Sequence, residues 1–303
     1  MKLDKENSLL QKTAYLNKRL DLSAVVPVYN EEKSVKDVVN ELENVLSILG
    51  VTFEIIVVDD ASTDRSPEIL DRLEGITCIR HPKNIGYGGA LKTGIKNAKG
   101  DIIVITDADS SYPNEMIPEL IKQMGEYNMV VGARDKNDPN IPFIRKPIKW
   151  FLGKLANYLS ETEIPDLNSG LRAFRRDEAL NFFKILPSGF SFTTTITLAM
   201  HCNGYSVKYI PIEYHERHGK SKISPIKDTL NFFQLIFRTI MYFNPLKIFL
   251  PISGFVFLAF TASTFYDIFI LEDLTDKTII LFLASIQLLV IGLLADLIDK
   301  RSN

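Results

Sequence analysis

Ile102-Ile103-Val104-Ile105-Thr106-Asp107-Ala108-Asp109-Ser110-Ser111-Tyr112-Pro113 is the stretch on which the reading of this chain turns. Four apolar, β-branched residues predict a strand buried on both faces, and that strand delivers two carboxylates, Asp107 and Asp109, to its C-terminal end. Open α/β sheets bind ligands at that edge. A pair of carboxylates with one residue between them suits a hard divalent cation, Mg²⁺ or Mn²⁺, which takes oxygen ligands and shares its shell with substrate phosphates. Taken alone, Asp-x-Asp is as readily a polar turn after a buried strand. Its neighbours decide.

Upstream, Leu22 to Val28 reads as a first buried strand ending in Pro27-Val28-Tyr29-Asn30-Glu31-Glu32. Val35, Val38, Val39, Leu42, Leu46 and Leu49 recur near helical period and predict a helix over 34–49, stopped by Gly50. Phe53 to Val58 gives a second strand, which ends at Asp59-Asp60 and leads through Ala61-Ser62-Thr63-Asp64-Arg65-Ser66-Pro67 to a helix start. A short strand near 76–79 precedes Asn84-Ile85-Gly86-Tyr87-Gly88-Gly89-Ala90 and another helix. Glycines there, Gly86 first among them, would let backbone approach a ligand closely, and helix-start amides favour phosphate. The spacing is not Gly-x-Gly-x-x-Gly and comes two strand units into the domain, which argues against a dinucleotide-binding oxidoreductase. Strand and helix alternate to about residue 125, predicting a largely parallel sheet covered on both faces.

Downstream, Met129 to Ala133 predicts a strand ending at Arg134. Residues 135–149 are polar and Pro-rich, with Arg145, Lys146 and Lys149, and suit a loop over the site. A helix over 149–159 precedes Pro165-Asp166-Leu167-Asn168-Ser169-Gly170-Leu171-Arg172-Ala173-Phe174. After a strand over 207–214 comes Arg217-His218-Gly219-Lys220-Ser221-Lys222, whose cations, amides and hydroxyl make an anion clamp or, more plainly, a solvated basic loop.

The chain has 303 residues, 46% hydrophobic and 24% charged, the balance of a folded protein. A net charge of -2 argues against a general nucleic-acid binder, which needs a broad excess of Lys and Arg. Cys78 and Cys202 form no metal-type spacing and read as ordinary thiols in a reducing compartment. The first 21 residues read as a polar segment without the apolar core of a signal peptide. Positions 248–266 and 278–295 hold no charged residue, and each run is long enough to cross a bilayer as a helix. The alternative, a pair of buried core helices, is unusual back to back at a chain end. Lys227, Arg238, Lys247, Lys300 and Arg301 flank the pair, whereas Asp267, Glu272, Asp273, Asp276 and one cation, Lys277, lie between its members. The positive-inside bias then expects both termini and the large domain in the cytoplasm. Residues 226–243, rich in Phe, Leu and Ile, suit an interfacial helix on membrane lipid, or a surface packed between subunits of a homo-oligomer.

Taken together, Pro27-Val28-Tyr29-Asn30-Glu31, Val58-Asp59-Asp60-Ala61-Ser62-Thr63-Asp64, Asn84-Ile85-Gly86-Tyr87-Gly88, Asp107-Ala108-Asp109, Gly132-Ala133-Arg134, Asn168-Ser169-Gly170-Leu171-Arg172 and the Arg217 to Lys222 run resemble glycosyltransferase family 2, and within it the polyprenyl-phosphate glycosyltransferases. The set spans about residues 22–225 in the family's order. The resemblance implies an α/β fold of the GT-A type with a mixed sheet, binding a nucleotide-sugar donor. It implies Pro27, Tyr29, Glu31, Asp59, Asp60, Gly86 and Asp107 at the nucleotide, and Asp107 and Asp109 at the metal, with Asp109 the direct ligand. It also implies Arg134, Ser169 and Arg217 near an acceptor phosphate, where Arg145 and Lys220 would add charge. Arg134 and Arg217, with the two aspartates, are the expected catalytic groups.

Two departures matter. Where some members place a further metal-binding Gln, this chain has Ser111, so donor phosphate and water are expected to complete the shell. Where members that glycosylate hydroxyls carry a Glu-Asp base, Phe190-Ser191-Phe192-Thr193-Thr194-Thr195 has no carboxylate. A phosphomonoester, with a second pKa of about 6, is already largely dianionic at neutral pH and needs cations rather than a base. The expectation is therefore inverting transfer of one sugar from a UDP- or GDP-sugar to polyprenyl phosphate. A hydroxyl acceptor embedded in the membrane, or a non-catalytic nucleotide-sugar-binding scaffold, are the alternatives. The expected organisation is an N-terminal segment (1–21), a catalytic domain (22–225), a juxtamembrane helix (226–245), a membrane hairpin (246–298) and a tail (299–303).

Overall fold

A computed structural model describes residues 22–134, 161–215 and 244–302, with isolated positions at 153–154, 157–158, 237 and 241–242. The expected N-terminal segment, the loop carrying Arg145, nearly all of the helix over 149–159, the Arg217 to Lys222 run and nearly all of the interfacial segment lie outside the described residues.

Strand β1 (Leu22–Val28) leads to helix α1 (Val35–Ser47), β2 (Phe53–Asp59), the short α2 (Ser66–Leu70) and β3 (Ile76–Arg80). Helix α3 (Tyr87–Asn97), β4 (Ile102–Ile105), α4 (Ile117–Gln123) and β5 (Met129–Arg134) follow. Then come β6 (Arg172–Arg175), α5 (Arg176–Asn181), α6 (Phe192–Cys202) and β7 (Val207–Ile212). The sheet order is β3-β2-β1-β4-β6-β5-β7. Among the described residues only β6 runs against its neighbours, pairing antiparallel with β4 and β5 while the other pairs are parallel.

The pleat explains why β4 is apolar throughout and β1 apolar apart from Ser23. Val26 and Val28 join Val104 in a core with Val38 and Leu42 of α1, whereas Val25 joins Ile103 and Ile105 in a second core with Leu91 and Ile95 of α3 and Ile196 of α6. Every residue of both strands is buried. Each such Val or Ile contributes about 1.5–3 kcal/mol relative to exposure. The register brings Val28 level with Asp59, and sets Ile105 and Val131 on either side of Arg172. Strands β1, β2, β4, β5 and β7 therefore end at the edge where β6 begins. The antiparallel β6 and the helix α6 lie in segments where the sequence predicts motifs but no regular elements.

At the C-terminus, α7 (Leu246–Tyr266) and α8 (Asp276–Ser302) form a hairpin. Through its continuation to Leu271, the first helix has a mean hydropathy of 1.9, and Asp276–Ile298 reaches 2.6. Both are long and apolar enough to cross a membrane. They are not buried core helices, because Phe255, Leu258, Phe269 and Leu283 face outward. Ser253 Oγ donates to Ser285 O at 2.9 Å across the pair. Beyond the loop, Asp267 accepts hydrogen bonds from the hydroxyls of Thr275 and Thr278. Lys247 Nζ meets Glu161 at 2.8 Å and so ties the hairpin to the α/β domain.

Candidate active site

The loops leaving β1 and β2 are laced into one unit. Asn30 N donates to Ser62 Oγ (3.0 Å), Glu31 N to Ser66 Oγ (2.9 Å) and Glu32 N to Asp64 Oδ2 (3.0 Å), while Thr63 N donates back to Asn30 Oδ1 (2.7 Å). Ser34 Oγ donates to Ala108 O at 2.7 Å, which adds the β4 loop. Asn30, Ala61 and Ser110 hold positive φ (58°, 60° and 59°) in these loops. Left-handed backbone at non-glycine residues costs of order 1–3 kcal/mol each and persists where surrounding structure enforces it, commonly at functional sites. Pro27 is buried in β1 and Tyr29 is exposed at the strand end. Asp59, also buried, accepts from Ser62 N at 3.0 Å and lies 3.8 Å from Arg80 Nε.

Each carboxylate of the acidic pair has its own hydroxyl partner. Asp109, 4% exposed, accepts at Oδ1 from both the backbone N–H and the hydroxyl of Ser111. Asp107 accepts at Oδ1 from the Tyr87 phenol at 2.8 Å. Gly170 lies against Asp107, since a Cβ there would stand 2.8 and 2.9 Å from its two carboxylate oxygens. Gly170 N in turn donates to Tyr112 OH at 2.7 Å. Among the described residues no three His, Cys, Asp or Glu side chains gather to enclose a metal. The oxygen-only pair nevertheless fits a hard divalent ion that takes the rest of its shell from substrate and water. Ser111 is buried with its hydroxyl proton committed to Asp109, the geometry of a group that orients a ligand.

The glycine-rich loop departs from expectation. Ile85 N and Gly86 N donate to the two oxygens of Asp60 at 3.0 and 2.8 Å, and His81 Nδ1 lies 2.7 Å from the same carboxylate. Gly89 N donates to Ser188 O at 2.9 Å. These helix-start amides are thus engaged within the chain, where the sequence reading assigned them to phosphate. The close backbone approach is also internal. A Cβ on Gly88 would stand 2.3 Å from Pro187 O and 2.8 Å from Gly189 O. Asp60 therefore acts through the loop it anchors. Gly88→Ala is expected to lower stability by about 1–3 kcal/mol, read as a lower melting midpoint, because backbone rather than a flexible side chain must move.

On the other side of Asp107, Arg134 is held by Asp166. Its Nε and Nη2 donate to the two carboxylate oxygens at 2.7 and 2.9 Å, and its backbone N donates at 3.2 Å. Burial raises the Asp166 carboxyl, but the hydrogen bonds and charge of Arg134 outweigh it and leave the pKa below the ordinary value. Arg134 also lies over the Tyr214 ring, 5.3 Å from its centre. Arg134, expected near an acceptor phosphate, is thus half of an ion pair. Ser169 has its own partner inside the chain. It is fully buried and gives its one hydroxyl proton to Gly132 O at 2.5 Å, so it fastens the approach to β6 onto β5 and has no proton for a phosphate. Arg172, also fully buried, is satisfied by neutral oxygens: Ser169 O, Thr193 O (3.1 Å) and Thr197 Oγ1 (2.8 Å). It joins β6 to α6.

Sequence reasoning quoted Tyr87 and Asp166 inside motifs without giving either a role. Phe190 was quoted only for the lack of a carboxylate in its segment; it is 75% exposed and stacks on Tyr87 with ring centres 5.6 Å apart, a contact between distant segments that no local pattern signals. Arg145, Arg217 and Lys220 lie outside the described residues.

A mixed seven-stranded sheet with Asp-x-Asp at the end of a central strand defines a GT-A-like α/β protein. The chain belongs to glycosyl transferase family 2, whose profile matches residues 23–181, and the profile of the GtrB C-terminal hairpin matches residues 244–300. It is 30% identical over 207 residues to the dolichyl-phosphate hexose transferase of Haloferax volcanii, covering 68% of this chain and 87% of that protein. It is 31% identical over 248 residues to the undecaprenyl-phosphate 4-deoxy-4-formamido-L-arabinose transferase of Pseudomonas fluorescens, covering 77% and 68% respectively. Glucosyl-3-phosphoglycerate synthase from Mycobacterium tuberculosis, solved with Mn²⁺, UDP-glucose and phosphoglyceric acid, shares the fold. Its TM-score is 0.59 at 18% identity, over 75% of this chain and 81% of that one.

Proposed function

We propose that this chain transfers one sugar from a UDP- or GDP-sugar to polyprenyl phosphate at the cytoplasmic face of a membrane, with inversion and release of the nucleoside diphosphate. The observation that carries the proposal is the convergence of the β1, β2 and β4 loops around Asp107 and Asp109, together with a carboxylate-free segment at 190–195. Two relatives named for lipid-phosphate acceptors support the acceptor class.

In this reading Pro27, Tyr29, Glu31 and Asp59 receive the nucleotide, with Asp60 and Gly86 shaping the floor below it. Asp107 and Asp109 would hold Mg²⁺ or Mn²⁺, which when bound supplies Lewis-acid stabilisation of the leaving diphosphate. An oxygen of the lipid phosphate attacks the anomeric carbon in line as the bond from that carbon to the diphosphate breaks. No proton has to be removed, because the phosphate dianion is its own nucleophile. The residues' task is to hold two anions in line. Arg134, restrained by Asp166, sits on the β5 side, and Arg145, Arg217 and Lys220 complete the basic lining. The hairpin crosses the bilayer with both termini inside, and residues 226–245 lie at the headgroups, which brings the acceptor to residues 22–225.

A panel of UDP- and GDP-sugars incubated with purified full-length protein and undecaprenyl phosphate, read by product mass, tests this. Product is expected with the phosphate and roughly a hundredfold less with dephosphorylated undecaprenol, since the alcohol must lose a proton and the 190–195 segment carries no carboxylate to take it. Equal use of the alcohol would favour a hydroxyl acceptor. Donor binding with no product from either would favour a scaffold.

A further inference from the structure

We propose that Tyr87 is a positioning residue for Asp107, its phenol doing for that carboxylate what the Ser111 hydroxyl does for Asp109. The inference rests on the metal-assisted reading above.

Asp107 is confined from two directions. From α3, the Tyr87 hydroxyl donates to Oδ1 at 2.8 Å; from the lead-in to β6, the bare Cα of Gly170 forms a wall that Tyr112 OH fixes by accepting Gly170 N–H at 2.7 Å. The Tyr87 ring is itself held. Phe190 stacks on it at 5.6 Å with planes 14° apart, and the neighbouring Gly88 is clamped under Pro187. A carboxylate that binds a metal is commonly oriented by such an outer hydrogen bond, whose loss costs 10–100-fold in metal affinity. The arrangement draws on three separate parts of the chain, α3, the β4 loop and the approach to β6, which no local motif joins.

Tyr87→Phe keeps the ring, its stacking and its burial, and removes only the donor. Mn²⁺ binding in the presence of UDP, measured on full-length detergent-solubilised protein by electron paramagnetic resonance, is expected to weaken about tenfold. The Mn²⁺ concentration for half-maximal turnover should rise in parallel, with an unchanged melting midpoint. Gly170→Ala, which pushes on Asp107 from the opposite side, should weaken Mn²⁺ binding too. Wild-type Mn²⁺ affinity in Tyr87→Phe would overturn the proposal, as would a wild-type protein that binds no Mn²⁺. A wild-type protein that binds Mn²⁺ with UDP, loses that affinity on Tyr87→Phe and transfers nothing to lipid phosphate would sink the proposed acceptor while upholding the role of Tyr87.

Discussion

Asp109→Asn is expected to reduce sugar transfer by roughly a thousandfold or more while leaving the fold intact. Asparagine has the shape of aspartate, and its side-chain oxygen can still accept the Ser111 N–H that now reaches Asp109 at 3.1 Å. Burial is unchanged, so the cost to stability should be small. What is lost is a negative charge in a site where only 4% of the residue is exposed and water cannot replace it. Metal stabilisation of a leaving diphosphate contributes several kcal/mol, and each 1.4 kcal/mol is a factor of ten in rate. Turnover with undecaprenyl phosphate, measured beside a melting curve of the same sample, decides the matter. Activity within tenfold of wild type, at any Mn²⁺ or Mg²⁺ concentration, would remove Asp109 from the chemistry.

The sequence made the central sheet legible because its strands are buried on both faces. Ile102–Ile105 is an unbroken apolar run and Leu22–Val28 is interrupted only by Ser23 for that reason, and carboxylates follow both β2 and β4 at one edge. Strand β6 has no such signature. It is four residues long, begins and ends with arginine, and inserts between β4 and β5 in the opposite direction. Its Arg172 is buried only because main-chain and threonine oxygens from 169, 193 and 197 surround it, a condition that no pattern in the strand records. Helix α6 is obscured in the same way, since the consecutive threonines 193–195 favour strand by propensity while their burial is decided by the sheet they cover. In the site, contacts between separate loops were not legible. Asp60 and Gly86 meet across 26 residues and Tyr87 and Asp107 across 20. The glycines were rightly taken as places of close approach, but the approaching group is the chain itself at 187–189.

The same limit applies to Arg134, whose partner lies 32 residues away, and it leads to the second large effect. Asp166→Ala is expected to destabilise the catalytic domain by about 3 kcal/mol, because it leaves a largely buried guanidinium without its counter-charge. The two side chains are 29% and 10% exposed, so water compensates only in part. For a chain of this size the melting midpoint should fall by roughly 10 °C. The pH dependence follows from the lowered Asp166 pKa. A carboxyl whose folded pKa lies below its unfolded value contributes its full stability above the unfolded value, about 3.9, and loses it as pH falls through the folded one. The difference between wild type and variant should therefore be constant from pH 7 to about pH 5 and shrink only below about pH 4. Arg134→Lys should behave similarly at neutral pH, since a single ammonium cannot reproduce the two-pronged contact. In turnover, both variants are expected to raise the KM for the lipid phosphate more than that for the nucleotide-sugar. Arg134 ends β5, two strands beyond β4, while the loops that the proposed function assigns to the nucleotide follow β1 and β2 on the other side of β4. Equal changes in the two KM values would mean that the pair supports the domain as a whole rather than its acceptor side.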